Sequence, residues 1–202
     1  MRIRPLAICL LAALLSSCVG TSLKQTWKSP DYHNGPVTKI AALAIDERGY
    51  VRSAFESRFV LEVRKHGAAS FTTFDLLSLP DIKSDKAAAA ERLRAAGADT
   101  LLILRLVDSS VSYREVQVDT GPSGPYGTWY DYYAMAYGMT QSYGNLKQST
   151  LLETSIFDLK TNKRIWSGLT ETVTAYDTDR VTEMDKVVAK VVAAMKKDGI
   201  IP

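Results

Sequence analysis

The sequence predicts an α/β fold: a mixed sheet of about five to six strands with helices packed on it, plus a long tyrosine- and glycine-rich insertion. Three observations carry this. The runs 39–45 and 100–107 are apolar on both faces, the mark of strands covered from both sides. Between them, apolar residues recur at helical spacing and are punctuated by glycine. Beyond them, two segments joined by a short polar turn read as a hairpin. The order strand, helix, strand, helix, strand favours helices layered on a sheet over a sandwich.

The elements follow in order. The first strand, Lys-Ile-Ala-Ala-Leu-Ala-Ile, is followed by Val51, Phe55, Phe59 and Val63, one stripe of a helix that Gly67 can end. Asp46, at the turn between them, reads as the capping carboxylate of that helix rather than a catalytic group. A short strand follows at 69–74, and Pro80 breaks the chain. Ser84 or Asp85 can cap a helix running to Ala96, with Gly97 at its end. The strand 100–107 is apolar except at Arg105, which needs a carboxylate; Asp99, Asp108 and Asp158 are the candidates. Residues 111–118 turn amphipathic, and strands are expected at 149–159 and 164–175, with Asn162 in the turn between them tolerating positive φ. Ile165, Leu169 and Val173 are expected on one face of the last strand and Trp166 on the other. Asp177 or Thr178 caps a final helix whose Val181, Met184, Val188, Val191 and Met195 form a seam, closed by Gly199.

The amino terminus has a separate logic. Arg2 and Arg4 precede a short apolar stretch from Leu6 to Leu15, too short to span a bilayer as a helix. Leu15, Ser16, Ser17 and Cys18 then resemble the lipobox of bacterial lipoproteins. That resemblance implies a signal peptide at 1–17 and a diacylglycerol thioether on Cys18; several acyl chains give a stable anchor where one does not. Residues 18–37 read as a lipidated tether and 38–202 as a single α/β domain. Trp27 within the tether is expected either in the lipid headgroup region or packed on the domain. Val19 and Gly20 lack the aspartate that retains many lipoproteins in the inner membrane, so in a Gram-negative cell the periplasmic face of the outer membrane is favoured.

Without Arg2 and Arg4 the chain carries 23 basic and 22 acidic residues, a balance that argues against a nucleic-acid partner. With Cys9 in the signal and Cys18 lipidated, no cysteine is left for a disulfide, a nucleophile or a zinc cluster. Only His33 and His66 are present, and no nucleophile elbow, zinc motif or phosphate loop occurs. The expectation is therefore no enzyme, no catalytic or metal-binding residues and no cofactor.

Residues 119–147 stand apart, with six of the ten tyrosines, a tryptophan and five of the twelve glycines. Connections of this length are uncommon unless functional or disordered. Trp129, Tyr130, Tyr132, Tyr133, Tyr137 and Tyr143 are the candidate partner-binding residues, since such rings offer large contact area at little entropy cost. A sugar-stacking surface is the small-ligand version, and rings folded back over the sheet the alternative. Deleting 121–144 is expected to leave the domain folded and remove its function.

The lipobox, the Lys-Ile-Ala-Ala-Leu-Ala-Ile strand, the Gly97-Ala98-Asp99 run leading into a strand, and the Asp158-Leu159-Lys160-Thr161 hairpin reaching Trp166 together resemble a loose group of bacterial lipoproteins. The group includes the penicillin-binding-protein activator lipoproteins and the curli secretion-channel subunit, with domains like the amino-terminal domain of the Tol system's propeller protein. The resemblance implies a non-enzymatic envelope protein that binds another envelope protein or itself. The expected function is a membrane-anchored adaptor or assembly factor; the alternatives are an oligomeric outer-membrane pore or secretion component, in which 111–157 form a membrane hairpin with 129–139 as a strand, and a glycan-binding protein.

Overall fold

In the computed structural model the described residues are 20–108, 128–133, 149–173 and 180–202, with the side chains of Arg180 and Val181 excepted. Cys18, Tyr137, Tyr143, the segment 111–118 and the caps Asp177 and Thr178 lie outside them. The elements are β1 (Gly20–Lys28), β2 (Lys39–Ile45), α1 (Gly49–Lys65), β3 (Ala69–Thr72), α2 (Leu79–Ser84), α3 (Lys86–Ala95), β4 (Thr100–Asp108), β5 (Ser149–Asp158), β6 (Arg164–Val173) and α4 (Arg180–Lys197). A helical turn at 129–133 adds to these. The six strands form one mixed sheet in the order β1-β6-β5-β4-β2-β3. β2 is parallel to β3 and β4, while β4, β5, β6 and β1 are successively antiparallel.

Alternation along the central strands divides two cores. Ile40, Ala42 and Ala44 of β2, with Leu102 and Leu104 of β4, face α1 and α4, meeting Phe59, Val63, Val188, Val191 and Met195. Ala41, Leu43, Ile45, Leu101 and Ile103 face the other way, toward α2, α3 and the turn 129–133. The period of two along each strand thus buries both faces, as the doubly apolar runs require. Gly67, Gly97 and Gly199 take positive φ where their helices end, and Asn162 does so in the β5–β6 turn at φ 58°.

Several expectations are corrected. Residues 20–28 are no tether but the edge strand β1, paired with β6 over its whole length. Its mostly exposed pattern gives no hydrophobic signal, and the turn-forming residues Ser29, Pro30, Asn34 and Gly35 come after it. Residues 20–28 are therefore part of the folded domain, which was expected to begin at residue 38. Trp27 lies on this strand, half-buried, with the Arg164 guanidinium 5.3 Å from its ring. Asp46 is not the N-cap of α1; that position is Arg48, whose own side chain makes no capping bond. Instead the Asp46 carboxylate accepts from the Arg48 backbone N–H and guanidinium, a local turn. Pro80 breaks nothing; it sits in the first turn of α2, which Ser78 caps through Asp81 N–H, and the missing proline donor costs nothing there. Asp85 caps α3. Ile165 and Trp166 enter the same core, because the β5–β6 register shifts between Ile156 and Phe157.

The motif residues resolve into turn chemistry. Asp99 accepts backbone N–H bonds from Thr38 and Lys39, pinning the start of β2 against β4. Asp158 accepts from the N–H groups of Lys160 and Thr161, building the hairpin turn.

Candidate functional site

The candidate site is the described part of the aromatic insertion and the charges beneath it. Thr128 opens the one-turn helix 129–133: its hydroxyl accepts the Asp131 N–H and donates to the Asp131 carboxylate at 2.8 Å. A backbone bridge from Thr128 to Lys163 ties this helix to the β5–β6 turn. Trp129, Tyr132 and Tyr133 then project onto the sheet and are wholly buried among the core of that face. As exposed recognition side chains these three are therefore corrected: their rings cover the sheet. Tyr130, its ring tilted against that of Trp129 with centroids 4.2 Å apart, is half-buried and remains accessible. Asp131 is consumed in the cap, and 129–133 is helical, so it is not part of a membrane strand. Deleting 121–144 would strip three core rings and cannot leave the domain unaffected.

Buried phenols need partners. Tyr133 donates to the Leu79 carbonyl at 2.5 Å, and Tyr132 donates to Glu153 Oε2 at 3.1 Å. Glu153 stands directly opposite Arg105 in the β4–β5 register. The Arg105 Nε donates to the same oxygen at 2.7 Å, and its guanidinium carbon lies 5.0 Å from the Tyr132 ring. On the other side Arg164 Nη1 approaches Glu153 Oε1 at 3.6 Å. One carboxylate, 1% exposed, is thus flanked by two guanidinium groups and a phenol. Burial, followed by the neighbouring Glu153 charge, pushes the Tyr132 phenol far up, so it serves as a neutral donor across the physiological range.

Arg105 pairs with Glu153, a residue outside the three aspartates considered. Asp99 and Asp158 are taken by backbone N–H groups, and Glu153, mid-strand in the neighbouring run, supplies the charge. Its legible signal was a charge of opposite sign interrupting an apolar strand, as Arg105 does. A second buried pair also escaped sequence reasoning. Glu56 on α1 accepts from Arg52, from the Ala44 N–H and from Thr73, and burial raises its carboxyl above the ordinary value. Among the described residues no group of three or more His, Cys, Asp or Glu is placed to hold a metal, and no helix is long and apolar enough to cross a membrane.

The fold defines an α/β protein built on a six-stranded mixed sheet. No protein-family model and no curated protein matches the chain. Among solved structures it is similar to the PelC dodecamer from Paraburkholderia phytofirmans, at 14% identity over 86% of this chain and 95% of that one, TM-score 0.47. It is also similar to lipoprotein GNA1162 from Neisseria meningitidis, at 11% identity over 81% of this chain and 96% of that one, TM-score 0.41. A PDZ domain protein from Parabacteroides distasonis is similar at 14% identity over 95% of this chain and 39% of that one, TM-score 0.42. Likeness of this degree carries no inference about activity.

Proposed function

We propose that the chain is a lipid-anchored protein of the bacterial cell envelope that acts without catalysis, as an adaptor or assembly factor. The observation that supports this reading is the connection between β4 and β5. These strands are antiparallel neighbours, which a two-residue turn can join. The chain instead runs from residue 109 to 148 before returning, and invests Trp129, Tyr132 and Tyr133 in fastening part of that excursion to the sheet. Long connections that are held in place rather than trimmed are where binding residues concentrate. Among the described rings, the three buried ones act as the fastening and Tyr130 is the accessible one. Cys18 provides the anchor, and the outer membrane's periplasmic face is the proposed location.

The test is photo-cross-linking in intact cells from a photoreactive residue at Tyr130, read by mass spectrometry. Capture of one envelope protein, lost when Tyr130 alone is replaced by Ser, is the expected result. Adducts only between copies of this chain would replace the adaptor with a self-assembling component, and no adduct at all would remove this surface from consideration.

A further inference from the structure

The sense of every element can be followed from the strand pairings. β2, β4 and β6 run one way, and β1 and β5 run the other. Hence one end of the molecule gathers the start of β1 at Gly20, the finish of β2 at Ile45, the finish of β4 at Asp108, the start of β5 at Ser149 and the finish of β6 at Val173. Helix α1 follows β2 and returns to a parallel neighbour, and α4 follows β6 back along the sheet, so both helices start at this same end. Their side-by-side course is fixed by the Arg58–Asp185 pair at 2.7 Å. The Thr21 hydroxyl meets Glu183 in the first turn of α4, which sets Gly20 beside that helix start.

Three described large apolar side chains are exposed: Tyr50, Leu61 and Phe74. Two of them belong to this end. Tyr50, 73% exposed, is in the first turn of α1, and Phe74 follows β3, its ring near Gly49. Arg48 beside them has a side chain more than half exposed, its guanidinium paired with the Asp46 carboxylate at 2.7 Å. A phenol and a guanidinium settle in the interfacial layer of a bilayer, where an apolar body and a polar tip are both satisfied, and a phenyl ring beside them adds apolar surface to the same layer.

The length of chain ahead of β1 says what meets this end. Two peptide units separate Cys18 from Gly20, a reach of about 7 Å when fully extended. A headgroup layer is about 5–8 Å thick on each side of the hydrocarbon. β1 is hydrogen-bonded to β6 from Gly20 onward, so no slack remains to hold the domain away from the lipid.

We propose that the end of the sheet carrying Gly20, Arg48, Tyr50 and Phe74 is a membrane-contacting surface, held against the headgroups of the bilayer by the lipid on Cys18. The domain stands on the membrane with β1 and α1 rising from it, and the turn at 160–163 is carried to the far end. This inference rests on the lipid anchor proposed above.

Depth-dependent quenching tests it. The full chain is isolated from membranes in lipidated form with single substitutions Tyr50→Cys, Leu61→Cys or Lys163→Cys, all at exposed positions. Each is labelled with a thiol-reactive fluorophore, since Cys18 is blocked by its thioether and Cys9 is removed with the signal. The proteins are placed in phosphatidylethanolamine–phosphatidylglycerol vesicles containing a headgroup-nitroxide lipid. Quenching several-fold stronger at position 50 than at 163 is expected, with 61, about 16 Å further along α1, in between. Equal quenching at the three positions, with the lipid on Cys18 verified by mass spectrometry, would overturn this surface and leave the anchor standing. A Cys18 found without lipid would overturn both.

Discussion

The two faces of the sheet are covered by different means. One lies under two long helices, α1 and α4, whose aliphatic stripes meet it with Phe59, Val63, Val191 and Met195. The other lies under the short helices α2 and α3 and a single turn at 129–133, and its bulk comes from Trp129, Tyr132 and Tyr133. The regular helices cover their face largely with apolar side chains, although α1 also buries the Arg52–Glu56 pair. An irregular segment covers the other face with large rings, and two of those rings bring hydroxyls that must be satisfied inside. The Leu79 carbonyl answers one and the Glu153 carboxylate the other, and the carboxylate in turn requires Arg105. Buried charge thus occurs on both sides, within one helix in the Arg52–Glu56 pair and across strands beneath the irregular cover in the Arg105–Glu153 pair.

Breaking the charged face should have the largest effect. Glu153→Ala leaves two guanidinium groups facing a lost carboxylate and is expected to cost about 3–5 kcal/mol in chemical denaturation. A loss below about 1 kcal/mol would mean that the pair does not hold the aromatic segment. On the helical face the sensitive point is steric. A Cβ at Gly168 would lie 2.6 Å from the buried Trp166 ring, so Gly168→Ala is expected to cost about 1–3 kcal/mol and to lower the melting temperature. The smallest effect belongs to the exposed edge shared by both faces. The hydrogen bond from Lys24 holds the Glu171 carboxyl below its usual value, tying β1 to β6. A carboxyl depressed on folding stabilises above its unfolded pKa, about 4.3, and the benefit disappears as pH falls through the folded value. Lys24→Ala should therefore lower stability by at most about 1 kcal/mol at neutral pH, and the difference in melting temperature from the native chain should close in acid.

The same contrast explains what was legible in the sequence. Val51, Phe55, Phe59 and Val63 announce α1, because a helix on a sheet must repeat its apolar residues every three to four positions. The run 39–45 announces a central strand for the same kind of reason. On the other face, periodicity was of no use: residues 119–147 were marked only by composition, which told that the rings matter and not which way they point. Burial of Trp129, Tyr132 and Tyr133 depends on the gap left by short helices, a property of the assembled layers. β1 was missed because an edge strand with an exposed surface looks locally like linker, and its partner among the described residues, β6, lies far along the chain. Glu153 was missed because cross-strand register decides which charge faces Arg105, and register is set by the whole sheet.

The position of β1 also orders events in time. Thr21 meets Thr172 hydroxyl to hydroxyl across 151 residues of sequence. A chain made or threaded from its amino terminus therefore offers residues 20–28 first and their partner almost last. Closing so large a loop is entropically slow, and the strand stays single until β6 exists to receive it. Whatever must act on residues 20–28 while they are unpaired has that whole interval in which to do so, and docking of β1 onto β6 brings the interval to an end.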